Sequence, residues 1–279
     1  MRWTNRGRSA NLEDRRGQRV SRGGTLGCGT LLVLIALSVV FKQDFLSLLG
    51  PALVNDSGGG GTTTDTELST SPEEEELVDF MSFVLDDLQA TWRQQLGSQY
   101  QDATMVIFRD AVHSACGMTG AATGPFYCPA DGKVYLDLSF FDELHRRFGA
   151  PGDFAQAYVI AHELGHHVQN LLGIERQVRR LQSGNPSAQN DLSVRMELQA
   201  DCLAGVWGYS TAQRGILERG DIEEGLGAAA AIGDDRIQRQ SQGYVVPDAF
   251  THGSSAQRAE WFNRGLMSGD PDQCDTFSD

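Results

Sequence analysis

The stretch "YVIAHELGHHVQNLLG", Tyr158 to Gly173, limits the fold more than any other part of the chain. Its apolar residues recur at the spacing of a buried helix, yet three histidines and a glutamate sit in its middle. Polar groups in a core helix are costly unless a partner satisfies them, so the fold must supply one. His162 and His166 are four apart and lie on one face, one turn from each other. Both imidazoles can then meet one tetrahedral ion. Glu163 is one step round the helix, beside the ion, where it can take a proton from an attacking water. This is H-E-x-x-H, with a physical reason for each letter. The competing reading is two core histidines with backbone or carboxylate partners. His167 is turned about 140° from His162 and is expected at the surface or behind the ligands. Asp153 is the expected N-cap and Gly173 the stop.

A catalytic zinc keeps three protein ligands and one open position, so two histidines are not enough. The continuation H-E-x-x-H-x-x-G-x-x-H fails, because Gln169 and Leu172 stand where it needs Gly and His. A later helical stretch, "SVRMELQADCLAGVWGYS" (Ser193 to Ser210), offers Glu197 and Asp201 four apart on one face. Glu197 can ligate the ion. Asp201 can accept a hydrogen bond from a ligand histidine and hold its ring. The alternative is a pair of exposed acids on a helix surface. Leu198, Ala200, Leu203, Ala204 and Val206 instead make this helix largely buried, where an unpaired carboxylate pair is expensive. The two motifs explain each other, and one zinc per chain is expected.

The 279 residues suffice for one sizeable domain with accessories. Charge is unevenly spread. Residues 1–43 hold eight Lys+Arg against two Asp+Glu, and the rest is strongly acidic, for a total of -14. Such an acidic bulk is a poor partner for nucleic acid. "TLGCGTLLVLIALSVVF", Thr25 to Phe41, has no charged residue and follows seven arginines. It reads as one membrane-spanning signal-anchor over residues 25–54, with the basic arm 1–24 in the cytoplasm and the acidic bulk outside. A cleavable signal peptide is the rival, but no small-x-small site follows the run. Residues 55–70, rich in Gly, Thr and Ser, read as a flexible tether. A helix then starts sharply, with Ser71 as cap, Pro72 at the first position and Glu74 completing a capping box. The folded domain is therefore expected over 71–279. "TMVIFR" (Thr104 to Arg109) and "KVYLDL" (Lys133 to Leu138) read as strands, with a Gly-rich loop between them. Helices dominate from Phe154 onward, so the class is α+β, mostly helical with a small sheet.

"HELGH" followed by "ELQAD" resembles the glutamate-zincin metallopeptidases. More closely, "SACG", "GPFYCPADGKVYLDLSFFDEL", "GAPGDFAQAYVIAHELGHHVQNLLGI" and "ELQADCLAGVW" resemble the bacterial neutral zinc metallopeptidase family. The likeness runs from about Ser71 to the end, and "NLEDRRG" near the start shares it. It implies a zincin-like, zinc-dependent peptidase acting on a peptide or protein, with His162, His166 and Glu197 as ligands and Glu163 as base. "FTHGSSAQRAEWF", Phe250 to Phe262, is similar to a Thr-His-Pro-x-x-x-x-Arg segment of the CAAX-type proteases, with Gly253 in place of the proline. His252 could stabilise a developing oxyanion, or the stretch could be a plain helix start capped by Ser254 or Ser255. Tyr244 is a further candidate for the oxyanion.

Cys28 lies in the apolar run. The other four cysteines, in an exported domain, favour disulfides. Cys116–Cys128 would close a short loop, and Cys202–Cys274 would tie the tail to the second metal helix. An extended substrate could add to one of the two strands by β-addition. The rival from another class is a membrane-anchored scaffold with an inert zinc site, for which an intact Glu163 has no use.

Overall fold

The first strand, β1 (Leu12–Asp14), comes from the basic segment and lies parallel to a strand of the acidic bulk, with Leu12 opposite Met105. In this computed structural model residues 1–20, 63–65, 68–120 and 123–278 are described. They divide into two units. Met1–Gly17 belongs with Leu68–Asp279, and Gln18–Glu67 is separate. In the second unit β2 (Gln18–Val20) pairs antiparallel with β3 (Thr63–Asp65). Within the expected tether, residues 63–65 are thus a strand, and residues 68–70 have no regular structure. The expected apolar span Thr25–Phe41 and Cys28 lie outside the described residues. Among the described residues no helix is long and apolar enough to cross a membrane.

The expected separate arm at 1–24 needs correction, because residues 1–17 are built into the larger unit. Met1 is buried, and Trp3 meets Phe80 edge-on at 5.5 Å. Arg16, only 4% exposed, donates to Asp14, Glu74 and Glu75. The two glutamates stand in the first turn of α1 (Pro72–Leu96), whose cap Ser71 accepts from the Glu74 amide at 3.2 Å. The Glu74 carboxylate does not return to the cap as a capping box requires. It accepts from Arg16 and Arg109 instead.

After α1 come β4 (Thr104–Phe108), β5 (Ala111–Ser114), β6 (Gly117–Gly120), β7 (Phe126–Cys128) and β8 (Lys133–Asp137). One sheet has the order β1-β4-β8-β7, with β4 and β8 parallel and β7 antiparallel to β8. Alternation along the strands divides the core. Met105, Ile107, Val134 and Leu136 face the main core, while Val106, Phe108, Tyr135 and Cys128 form a second cluster with Val112 of the β5–β6 hairpin. The disulfide Cys116–Cys128 ties that hairpin to β7. Both strands read from sequence are interior to the sheet. The edge beside the helices is β7, unpaired on its outer side among the described residues, and it arises from the segment expected to be a Gly-rich loop.

The helices are α2 (Ser139–Arg146), α3 (Asp153–Leu171), α4 (Ile174–Gly184), α5 (Gln189–Gln213), α6 (Asp221–Ala231), α7 (Asp234–Gln242) and α8 (Ser255–Ser268). Asp153 is the first residue of α3 and Gly152 its cap, one position earlier than expected, while Gly173 takes the left-handed conformation just past the end. Two close crossings position the site. A Cβ on Gly165 of α3 would come within 2.9 Å of the Ala200 carbonyl of α5. A Cβ on Gly265 of α8 would lie 1.9 Å from the Cys202 carbonyl of α5. The disulfide Cys202–Cys274 ties the C-terminal residues to α5. The result is a mixed α+β fold, mostly helical with a small sheet, which fits the expected zincin-like domain.

Candidate active site

Helix α3 brings His162, Glu163 and His166 to one cleft, and α5 brings Glu197 opposite them. His162 Nε2 is 3.1 Å from one Glu197 oxygen, and His166 Nε2 is 3.5 Å from the other. Ligand atoms of these three residues all lie within 4.8 Å of one another. The far nitrogen of each ring is held separately. His162 Nδ1 sits 2.8 Å from Asp201, and His166 Nδ1 sits 2.9 Å from the side-chain oxygen Oε1 of Gln169. Gln169 is oriented in turn, since its amide nitrogen donates to the Met196 carbonyl and to Gln199. An acceptor at each Nδ1 selects the tautomer with a bare Nε2, the form in which imidazole ligates a metal.

The charges also converge on the centre. Burial works against charge on His162, but Asp201, by charge and hydrogen bond, together with Glu197 raises it to about 9. His166 is raised in the same way, with Glu197 overcoming burial. Burial would lift Glu197, yet the two imidazoles hold it well below the usual carboxylate range. Two neutral nitrogens and one carboxylate, all demanding positive charge between them, are a donor set that fits zinc.

Asp201 does more than the sequence suggested. It is fully buried, accepts from Arg258 Nε at 2.8 Å and Nη2 at 3.0 Å, and also takes the Tyr158 hydroxyl. Arg258 is 2% exposed and caps the network from α8. It is the arginine of the "FTHGSSAQR" stretch, to which the sequence reading gave no role. Arg258, Tyr158 and Gln169 were all missed, because their partners are remote in sequence or because no motif includes them.

His252 lines the same cleft, half-exposed, and Ser254 begins a true capping box with Gln257, so the stretch is a capped helix start that also brings His252 into the cleft. Asp234 organises the turn. One of its oxygens accepts from the backbone amides of Thr251, His252 and Gly253, and the other sits 3.3 Å from His252 Nδ1. The hydrogen bond to Asp234 raises His252 above its ordinary value. Tyr244 is 61% exposed and outside the cleft lining, which removes it as a candidate. His167 is not at the surface. Its Nε2 donates to the Gln101 carbonyl at 2.7 Å, and its Nδ1 meets the Tyr127 hydroxyl at 3.0 Å. Burial lowers its pKa. The cleft, about 700 Å³, runs from this metal set along β7, with Val159, Ile232 and Ile237 among its apolar walls.

The model of the family described as "Putative neutral zinc metallopeptidase" matches residues 1–277. YpfJ of Escherichia coli (strain K12) is 51% identical over 290 aligned positions, covering 99% of each chain. Rv2575 of Mycobacterium tuberculosis (strain H37Rv) is 47% identical over 204 positions, covering 69% of this chain and 68% of its own. No solved structure matches.

Proposed function

Because the chain belongs to this neutral zinc metallopeptidase family, we propose that it is a peptidase whose zinc is held by His162, His166 and Glu197. Glu163 is the general base. The observation that carries the reading is the convergence of three ligand atoms within 4.8 Å, with each Nδ1 already engaged elsewhere. Zinc bound in such a set polarises a carbonyl and lowers the pKa of bound water to roughly 7.

The chain's own residues do the rest. Glu163, on the same helix and lining the same cleft, takes the proton of the attacking water and returns it to the leaving amine. Asp201 keeps the His162 ring in register, and Gln169 does so for His166. His252, held by Asp234 and favoured as the imidazolium with both ring nitrogens protonated, donates from Nε2 to the developing oxyanion. An extended substrate adds to the free edge of β7, with main-chain hydrogen bonds fixing its register. The apolar run Thr25–Phe41 is the candidate for attachment to a membrane.

The test uses the full chain, since residues 1–17 are part of the unit. Incubation with a peptide library, with and without chelator, should give cleavage that chelator abolishes. Glu163→Gln should keep zinc content and melting temperature and lose about 10²–10⁴-fold in turnover. Wild-type turnover in that variant would place the base elsewhere. A zinc-loaded wild type that cleaves nothing would favour an inert scaffold. Zinc should be lost in Glu197→Ala and retained, with weaker affinity, in Asp201→Ala. The reverse pattern would exchange the two roles.

A further inference from the structure

We propose that Tyr127 and His167 form a positioning pair that holds the edge strand β7 at a fixed distance from the metal-bearing helix α3, and so sets where a substrate backbone lies over the site. The inference rests on the peptidase reading above.

Strand β7 is three residues long and, among the described residues, bonds to the sheet only through β8. A strand so short has little intrinsic hold on its place. Each of its side chains is nevertheless fixed, Phe126 by its cross-strand partner and the other two by groups outside the β7–β8 pairing. Phe126 stacks on Tyr135 with centroids 4.9 Å apart. Cys128 is joined to Cys116. Both point to the far face of the sheet. Tyr127 points the other way, toward α3. Its hydroxyl accepts from Asn170 Nδ2 at 2.9 Å and donates to His167 Nδ1 at 3.0 Å. His167 Nε2 must be the donor to the Gln101 carbonyl, since a carbonyl only accepts. That leaves Nδ1 of the neutral ring to receive the tyrosine proton.

Every polar atom of this chain of bonds is thereby satisfied in one arrangement. It links β7, the segment before β4 and the helix carrying the ligands. Tyr100 closes the remaining side of the His167 ring, edge-on at 5.7 Å. His167 follows His166 directly, so a shift of β7 is measured against the ligand helix itself. Neither side chain touches the reacting atoms, and their effect is on binding geometry.

The experiment compares wild type, Tyr127→Phe, His167→Gln and the double variant, all zinc-loaded full chains, on a peptide long enough to pair with β7. Tyr127→Phe keeps the ring and removes only the hydroxyl. Loss of one such bond should raise KM about 3–10-fold, with kcat within about twofold. The double variant should fall short of the product of the two single effects, because the two residues share one contact while each also makes one of its own. Inhibition by a small hydroxamate, which reaches the metal without pairing to a strand, should be unchanged. Amide exchange of residues 123–129 should speed up in both single variants while that of β4 does not. An unchanged KM and unchanged exchange would overturn the inference. So would equal loss of hydroxamate binding, which would mean general damage to the site. A wild type that cleaves nothing would sink the peptidase reading instead, and the exchange comparison would still decide whether the pair holds β7.

Discussion

Two arginines, Arg258 and Arg16, are almost wholly buried, at 2% and 4% exposure, and each is surrounded by acceptors. They do different work. Arg258 lies between α3, α5 and α8, against one carboxylate with no exposure, one phenol and one imidazole. Arg16 lies against Asp14, Glu74 and Glu75, whose side chains are 26%, 21% and 36% exposed. The first network is dry and ends on His162, one of the proposed metal ligands. The second is half wet and holds a strand to a helix. Burial of the partners, more than burial of the arginine, decides what each pair is worth. A dry charge that loses its partner cannot recover water, whereas a wet one can.

The largest effect should follow from Arg258→Met. It strands the Asp201 carboxylate in the core, and breaking a buried pair from one side costs about 3–5 kcal/mol. Denaturant unfolding should show that loss, together with weaker zinc binding, since Asp201 orients His162. Adding Asp201→Asn should recover most of the stability by removing the stranded charge. If the double variant is as unstable as the sum of the two singles, the cost lies in packing and the electrostatic account fails.

Arg16→Met should cost less, about 1–3 kcal/mol, because its three partners can rehydrate. Zinc content should be unchanged. The same contact makes a cellular prediction. Residues 1–17 that pack on α1 and β4 share a compartment with them, whatever the intervening segment does. Thiol-specific labelling of a cysteine introduced at exposed Arg2, and of one at exposed Asp272, should occur from the same side of the cell membrane. Labelling from opposite sides would mean that residues 1–17 leave the unit in the cell.

The convergence of the candidate metal set was legible because both halves of it are local. His162 with His166, and Glu197 with Asp201, are i,i+4 pairs, and helix geometry alone puts each on one face. Ser71, β4, β8 and both disulfides were readable for similar reasons of spacing. What failed was long-range. Arg258 is 57 residues from Asp201 and 100 from Tyr158, and no periodicity links them. Arg16 counted as one charge among seven flanking an apolar run, while its burial depends on glutamates almost 60 residues away. The 140° between His162 and His167 gave a direction, but not that Tyr127 and Gln101 would occupy it. Gln169 registered only as the wrong residue for a longer zinc motif, yet it supports the second histidine. Strand β7 was invisible because three residues in a Gly-rich loop carry no alternation to detect, and their place depends on a disulfide, a ring stack and a hydroxyl.

The smallest effect is the pH dependence of the wetter pair, and its sign is fixed. For Asp14, Glu74 and Glu75 burial acts to raise the pKa, but bonds and charge from Arg16 and its neighbours overcome it, and all three are lowered. A carboxylate with a lowered folded value contributes stability that is complete above its unfolded value, near 4, and lost as pH falls through the folded value. The stability gap between wild type and Arg16→Met should therefore be flat from pH 8 to about 5 and close progressively below about 4. Partial exposure and salt screening keep it within the 1–3 kcal/mol above, and added salt should narrow it further. Equilibrium unfolding at a series of pH values reads this directly. A gap that stays constant to pH 3 would mean that Arg16 acts through the packing of its aliphatic stem, and the contrast with Arg258 would then be one of volume rather than of charge and water.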